Sequence, residues 1–162
     1  MSEIFLKRIE TCTADAKTKV TQLRDHELLS EVEQEYVKQF VSKLWNDGIT
    51  RRLSTITGLD LGQKIGIVYH FWQNQDTLHV RTTVPKANAT AASIVDIIPG
   101  AILYEMEIHD LFGVTFVGNP WMDKKLLLPE TWPDDLPPPL LKTSKPAEIR
   151  KRLKLEVEKE NE

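Results

Sequence analysis

With 162 residues, 41% of them hydrophobic, the chain is long enough for one domain whose core folds without disulfides or a structural metal, and too short for two ordinary domains. Its one cysteine, Cys12, excludes an internal disulfide, a four-cysteine zinc site and a self-contained iron–sulfur cluster, each of which needs several sulfur atoms from one chain. A net charge of −3 with interspersed signs argues against a nucleic-acid partner, and no apolar run reaches the roughly 20 residues that cross a bilayer.

The start, MSEIFLKRIETC, carries acids and no apolar stretch of signal-peptide length, so a cytosolic chain is expected, with any membrane association supplied by partners. Cys12 has no basic or helix-start context that would lower its pKa, and reads as an inert thiol. A short helix is expected at 4–9 and a strand at 19–23. From 30 to 47 the spacing of Val32, Tyr36, Val37, Phe40, Val41, Leu44 and Trp45 predicts an amphipathic helix, opened by a capping box of Ser30 and Glu33 and ended by Gly48. Strands follow at 51–57, 64–72 and 77–84. The second has Ile65, Ile67, Tyr69 and Phe71 on one face and Val68, His70 and Trp72 on the other, the pattern of a central strand. A polar turn at 73–76 makes the last two an antiparallel hairpin, and Pro85 ends it. Thr57-Gly58 and Leu61-Gly62 read as turns.

Asn88 is placed to cap a helix through Ala92, Ile94, Val95 and Ile98, broken at Pro99-Gly100. A second helix, 101–112, holds the motif EMEIHDLFG and stops at Gly113, suited to a left-handed cap. On that helix Glu105 and His109 share one face, and Glu107 and Asp110 another, so the four polar groups do not converge. The spacing also misses the His-Glu-x-x-His of zincins and the repeated Glu-x-x-His of di-iron bundles, so no metal, cofactor or catalytic residue is assigned. General acid–base work by Glu105 or Glu107 would need a pocket and a partner group, and a free-standing carboxylate enzyme stays open as the rival reading. His26, His70 and His79 are scattered, the last two on neighbouring strand faces. No phosphate-binding glycine loop or nucleophile elbow is present.

Seven of nine prolines fall between Pro120 and Pro146, so this stretch cannot be regular helix or central strand. Ordering the 28 residues from 119 to 146 costs on the order of 30–60 kcal/mol of backbone entropy. The large side chains Trp121, Met122, Leu126, Leu127, Leu128, Trp132, Leu136, Leu140 and Leu141 are suited to offset that by burial. An extended strap laid on a partner is expected, with wrapping of its own domain as the alternative. A charged helix from 147 to 160, with Ile149, Leu153 and Val157 four apart, closes the chain. The expected organisation is an α+β domain at 1–118 with a small mixed or antiparallel sheet covered by helices, the strap at 119–146 and the terminal helix at 147–162.

The run EMEIHDLFGVTFVG at 105–118, followed by Asn119-Pro120, Leu126-Leu127-Leu128-Pro129, Trp132 and Pro139-Leu140-Leu141-Lys142, resembles the 30-kDa subunit family of respiratory complex I and its hydrogenase relatives. The family pattern carries arginine, histidine and a second arginine where this chain has Met106, Asn119 and Leu141, so charged contacts at those positions are not carried over. The resemblance implies an α+β domain without a cofactor of its own, laid over the large subunit of an electron-transfer arm. It implies Glu105, Glu107, Asp110, Pro120, Trp121, Leu127, Trp132, Pro139, Leu140, Leu141 and Lys142 as partner-interface residues, with Phe112 and Phe116 packing the helix on the sheet. The short chain and its proline-rich strap look like the archaeal membrane-bound hydrogenase or sulfur-reducing branch. There the resemblance implies ferredoxin as electron source, iron–sulfur clusters in a partner subunit, and nickel–iron in the large subunit of hydrogenase members. It further implies ion translocation by membrane subunits and a place on the cytoplasmic side of the membrane. A subunit of an NADH- or F420H2-quinone oxidoreductase is the alternative within the family.

Overall fold

The computed structural model describes residues 3–13 and 18–160, with side chains over 6–11 and 18–153; the side chains of Cys12 and Val157 lie outside the described residues. The elements in order are α1 (Glu3–Thr13), β1 (Lys19–Arg24), β2 (Glu27–Glu31), α2 (Gln34–Asn46), β3 (Arg52–Asp60), β4 (Lys64–Gln73), β5 (Asp76–Pro85), β6 (Thr90–Ala92), α3 (Ala101–Phe112), β7 (Thr115–Val117) and α4 (Pro146–Glu160). Five strands form one mixed sheet in the order β1-β2-β5-β4-β3, in which only β2 and β5 run parallel. The short strands β6 and β7 pair in parallel as a second sheet, joined through α3.

Alternation builds the core. Along β4 and β5 the residues Ile65, Ile67, Tyr69, Phe71, Leu78, Val80 and Val84 all point to one face and are buried. Against them α2 lays Val37, Phe40, Val41 and Leu44, four side chains whose burial contributes about 1.5–3 kcal/mol each. The other helix over this sheet, α3, packs on β3, where Ile108 and Phe112 lie against Gly58 so closely that a Cβ at Gly58 would overlap the Phe112 ring. Gly113 adopts φ 75° and its N–H donates to the His109 carbonyl, ending α3 in the left-handed cap that its position predicts.

The α+β class, the central hairpin, α2, α3 and the terminal helix agree with the sequence reading, and four local expectations are corrected. Ser30 caps no helix: it lies in β2, its Oγ buried without a partner, while α2 starts at Gln34 after a Glu33 that makes no side-chain cap bond. Val32 and Tyr36 suit helical spacing, but Leu28 and Ser30 alternate inward beside β5, and the parallel ladder wins. The third strand runs on to Asp60, so Thr57-Gly58 is strand and not turn, its bare Cα making room for Phe112. The helix expected after Asn88 is replaced by a 3-10 turn at Lys86–Asn88, then β6, then turns closed by Ile97 and Ile98 N–H to the Ile94 carbonyl. Finally, the expected extended course of the proline-rich segment is broken into turns. Lys124, Trp132, Leu136, Leu141 and Ser144 each donate a backbone N–H to the carbonyl three residues earlier, bonds that proline-rich chain can make where it cannot join a ladder.

Candidate functional site

Helix α3 and the proline-rich segment meet through buried carboxylates. Glu105 is 0% exposed, yet ionisable, and its two oxygens accept hydrogen bonds from Ser93 Oγ at 2.8 Å, Ile94 N–H at 2.8 Å and Asn119 Nδ2 at 2.9 Å. Burial pushes its pKa up, against the pull of those three donors. Its carboxylate also adds to the burial that drives the fully enclosed Tyr69 hydroxyl far above its ordinary pKa. Asn119 passes the connection on, since its Oδ1 accepts the Trp121 N–H at 3.0 Å and so forms the turn into the segment.

One helical turn further on, Asp110 Oδ2 accepts three consecutive backbone N–H groups, those of Leu126, Leu127 and Leu128, at 2.8, 2.7 and 3.1 Å. Burial raises its pKa, but the three donors outweigh burial and hold it below the usual aspartate value. A third carboxylate, Asp60 at the end of β3, accepts Lys86 Nζ at 2.7 Å, the Lys142 N–H at 2.8 Å and the Gly62 N–H at 2.8 Å. The Lys86 ammonium, then these two amides, draw its pKa down to about 2. Acids from the sheet and helix thus grip the segment at its start, middle and end. Leu140 N–H adds a bond to the Leu111 carbonyl at 3.1 Å.

Held this way, the segment turns several large apolar side chains outward. Trp121, Leu126, Leu127 and Leu140 are 42, 39, 55 and 53% exposed, and Leu103 of α3 and Val117 of β7 are exposed as well. Met122 and Leu141 pack inward against the core, and Trp132 is partly buried, its Nε1–H donating to the Leu136 carbonyl at 3.4 Å. Pro120 and Lys142 are exposed, and Glu107 and Pro139 partly so. Of the eleven residues expected at an interface, Glu105 and Asp110 therefore turn inward and act on their own chain, while the exposed apolar members remain on the surface. The acids at 105, 107 and 110 do not meet at one point, and among the described residues no group of three or more His, Cys, Asp or Glu could hold a metal. Sequence reasoning missed Asp60, Ser93 and the Ile94 amide. No local signal marks them, because Asp60 and Lys142 lie 82 positions apart.

Fold and site together define an α+β domain that presents an apolar, proline-rich surface tied to its own helix by buried acids. The chain belongs to the family described as the 30-kDa subunit of respiratory-chain NADH dehydrogenase, which matches residues 30–150. It is 32% identical over 115 residues to an NADH-quinone oxidoreductase subunit of Acidothermus cellulolyticus, covering 66% of this chain and 59% of the relative. With the same subunit of the Roseiflexus castenholzii oxidoreductase it shares 33% identity over 85 residues, 49% of this chain and 48% of the relative. The chain thus spans about half to three-fifths of the curated relatives. In fold it is similar to a chain of the archaeal membrane-bound sulfane sulfur reductase, with a TM-score of 0.75 at 24% identity over 94% of this chain and 92% of that one. It is also similar to a trypsin-resistant fragment of Nqo5, with a TM-score of 0.58 at 23% identity over 72% of this chain and 98% of that one. Among the described residues no helix is long and apolar enough to cross a membrane.

Proposed function

We propose that this chain is a non-catalytic subunit of a membrane-associated, ferredoxin-linked respiratory complex, in which it docks on the large catalytic subunit through the proline-rich segment. The observation that carries the reading is the outward set of Trp121, Leu126, Leu127 and Leu140 on backbone held by the Asn119 amide, the Asp110 carboxylate and the Leu111 carbonyl. Isolated exposed apolar residues are ordinary, but several large ones on an ordered, turn-rich segment are suited to bury against a partner. A preordered segment also forfeits less entropy on docking than a disordered one. The fold shared over nearly the full length with a sulfane sulfur reductase chain supports a sulfur- or polysulfide-reducing complex, and the sequence relatives support an NADH-quinone oxidoreductase as the alternative. Iron–sulfur and large subunits then carry the electrons, membrane subunits move ions, and this chain sits on the cytoplasmic side.

The test is to tag the subunit in its native host, purify it from detergent-solubilised membranes, and measure co-purifying subunits with iron and nickel. Iron without nickel fits the sulfur-, polysulfide- or quinone-reducing readings, and iron with nickel redirects it to a hydrogenase. A lone, metal-free chain overturns the subunit reading and restores the free-standing enzyme.

A further inference from the structure

Where β2 ends, β5 runs on without it. The register of the two strands stops at Glu31 opposite Arg81, and one further bond, from Val32 N–H to the Arg81 carbonyl at 2.9 Å, closes the ladder before the chain turns into α2. β5 continues to Pro85. Backbone groups along a strand alternate in direction, and Thr77 N–H and the Arg81 carbonyl both bond toward the β2 side. Thr83 N–H and C=O therefore face that side as well, past the last residue of β2 that could meet them.

A cavity of about 370 Å³ occupies this place. Arg81 and Thr83 line it from the outer face of the sheet, and Val32, Thr82 and Gln34 from the face that α2 covers, so it lies in the plane of the sheet, where a further strand would run. Thr82 is 3% exposed and its hydroxyl has no partner, and both Nε2 and Oε1 of Gln34 are buried without one. Native interiors avoid leaving three enclosed polar atoms unbonded in one cavity, because each forfeits a hydrogen bond that water would have given it. The charged groups around the cavity, Lys19 and Arg81 against Glu31 and Glu33, cancel, and Arg81 donates to Glu31. A neutral ligand with alternating donors and acceptors suits this lining, and a peptide backbone is such a ligand. We propose that the notch receives an extended segment of a partner subunit as a short added strand beside 83–85. The inference rests on the reading of this chain as a subunit. Thr83 supplies an N–H and a C=O, and Pro85, which has no N–H, only a C=O, so the added ladder is short. Thr82 and Gln34 bond the incoming side chain that points to the α2 face, and they select a hydroxyl or amide there, that of serine, threonine or asparagine.

The measurement is amide hydrogen exchange at Thr83, in the full chain alone and in the complex purified from native membranes. In the chain alone Thr83 is expected to exchange as an exposed amide, while Val80 and Val84 are protected by the β4 ladder. In the complex its exchange is expected to slow by about 10-fold or more. Thr82→Val keeps the shape of the side chain and removes the unbonded hydroxyl. That variant alone is expected to melt at or above the wild-type temperature, while the protection of Thr83 in its complex falls. Thr83 left unprotected in a complex whose other subunits co-purify overturns the inference and leaves the subunit reading intact, whereas a chain that brings down no partner overturns both. Protection of Thr83 in the chain alone also overturns it. If that protection rises with concentration the occupant is a second copy, and if it does not the chain's own atoms already hold the amide. A Thr82→Val chain that melts below the wild type gives the hydroxyl an internal partner and overturns the proposal as well.

Discussion

Asp110 shows how one side chain can order a segment that has no helix or strand. A single carboxylate oxygen takes the place that a ladder would fill for three amides in a row. In Asp110→Ala those amides lose their acceptor, and we expect a loss of about 2–4 kcal/mol, measured by urea denaturation, with new proteolytic cleavage at Lys124 and Lys125. Wild-type resistance at those lysines in the variant would show that other contacts hold the turn. Asp60 and Glu105 respond to pH with opposite signs. The folded pKa of Asp60, about 2, lies below its reference value of 3.8, so its contribution is full above that value and is lost as pH falls toward 2. Protection of the Lys142 amide from exchange should fall over that range in the wild type and be weak at every pH in Asp60→Ala. Glu105 has a folded pKa above its reference of 4.5, so its contribution is present below that value and declines as pH rises through the folded one. Glu105→Gln should flatten this slope in a series of melting temperatures against pH, and an unchanged slope would assign it to another group.

Among the elements, those with a long uniform period were legible in the amino-acid sequence. The alternation of β4 and β5 and the 3.6-residue recurrence of α2 name both the element and its buried face, whereas α3 is marked by its end signals alone, and its buried Glu105 and Asp110 were expected at an interface. The short ones were not, because β2 offers only five residues and β6 three, too few to separate a period of two from one of 3.6. Partners far along the chain decide those cases: β2 is fixed by β5, and β6 by β7 from beyond α3. The site was half legible for the same reason. Its apolar members stand out by composition, whereas the acids that hold them act over 14 to 82 positions. The contact of α3 with β3 is close, with Phe112 and Ile108 laid against the bare Cα of Gly58. Gly58→Ala would drive Phe112 off β3, with an expected cost of about 1–3 kcal/mol. Pairing it with Phe112→Ala should recover part of that loss in a double-mutant cycle, and strict additivity would contradict the packing described.

At the scale of the whole molecule, the two sides of the sheet divide the work. One carries α2 and α3 and, beyond α3, the outward apolar segment, and the other carries side chains bonded across the strands, from Thr57 through His70 and His79 to Glu27. The central claim is that the outward apolar side chains of the segment hold a partner while contributing little to the fold. Substituting Trp121, Leu127 and Leu140 together by serine removes exposed apolar surface and none of the hydrogen bonds that anchor the segment. The most direct measurement is co-purification of this tagged triple variant from native membranes, alongside the thermal melt of the isolated chain. The account predicts a melt close to that of the wild type and loss of the co-purifying subunits. A variant that melts normally and still brings down the full complex would contradict it.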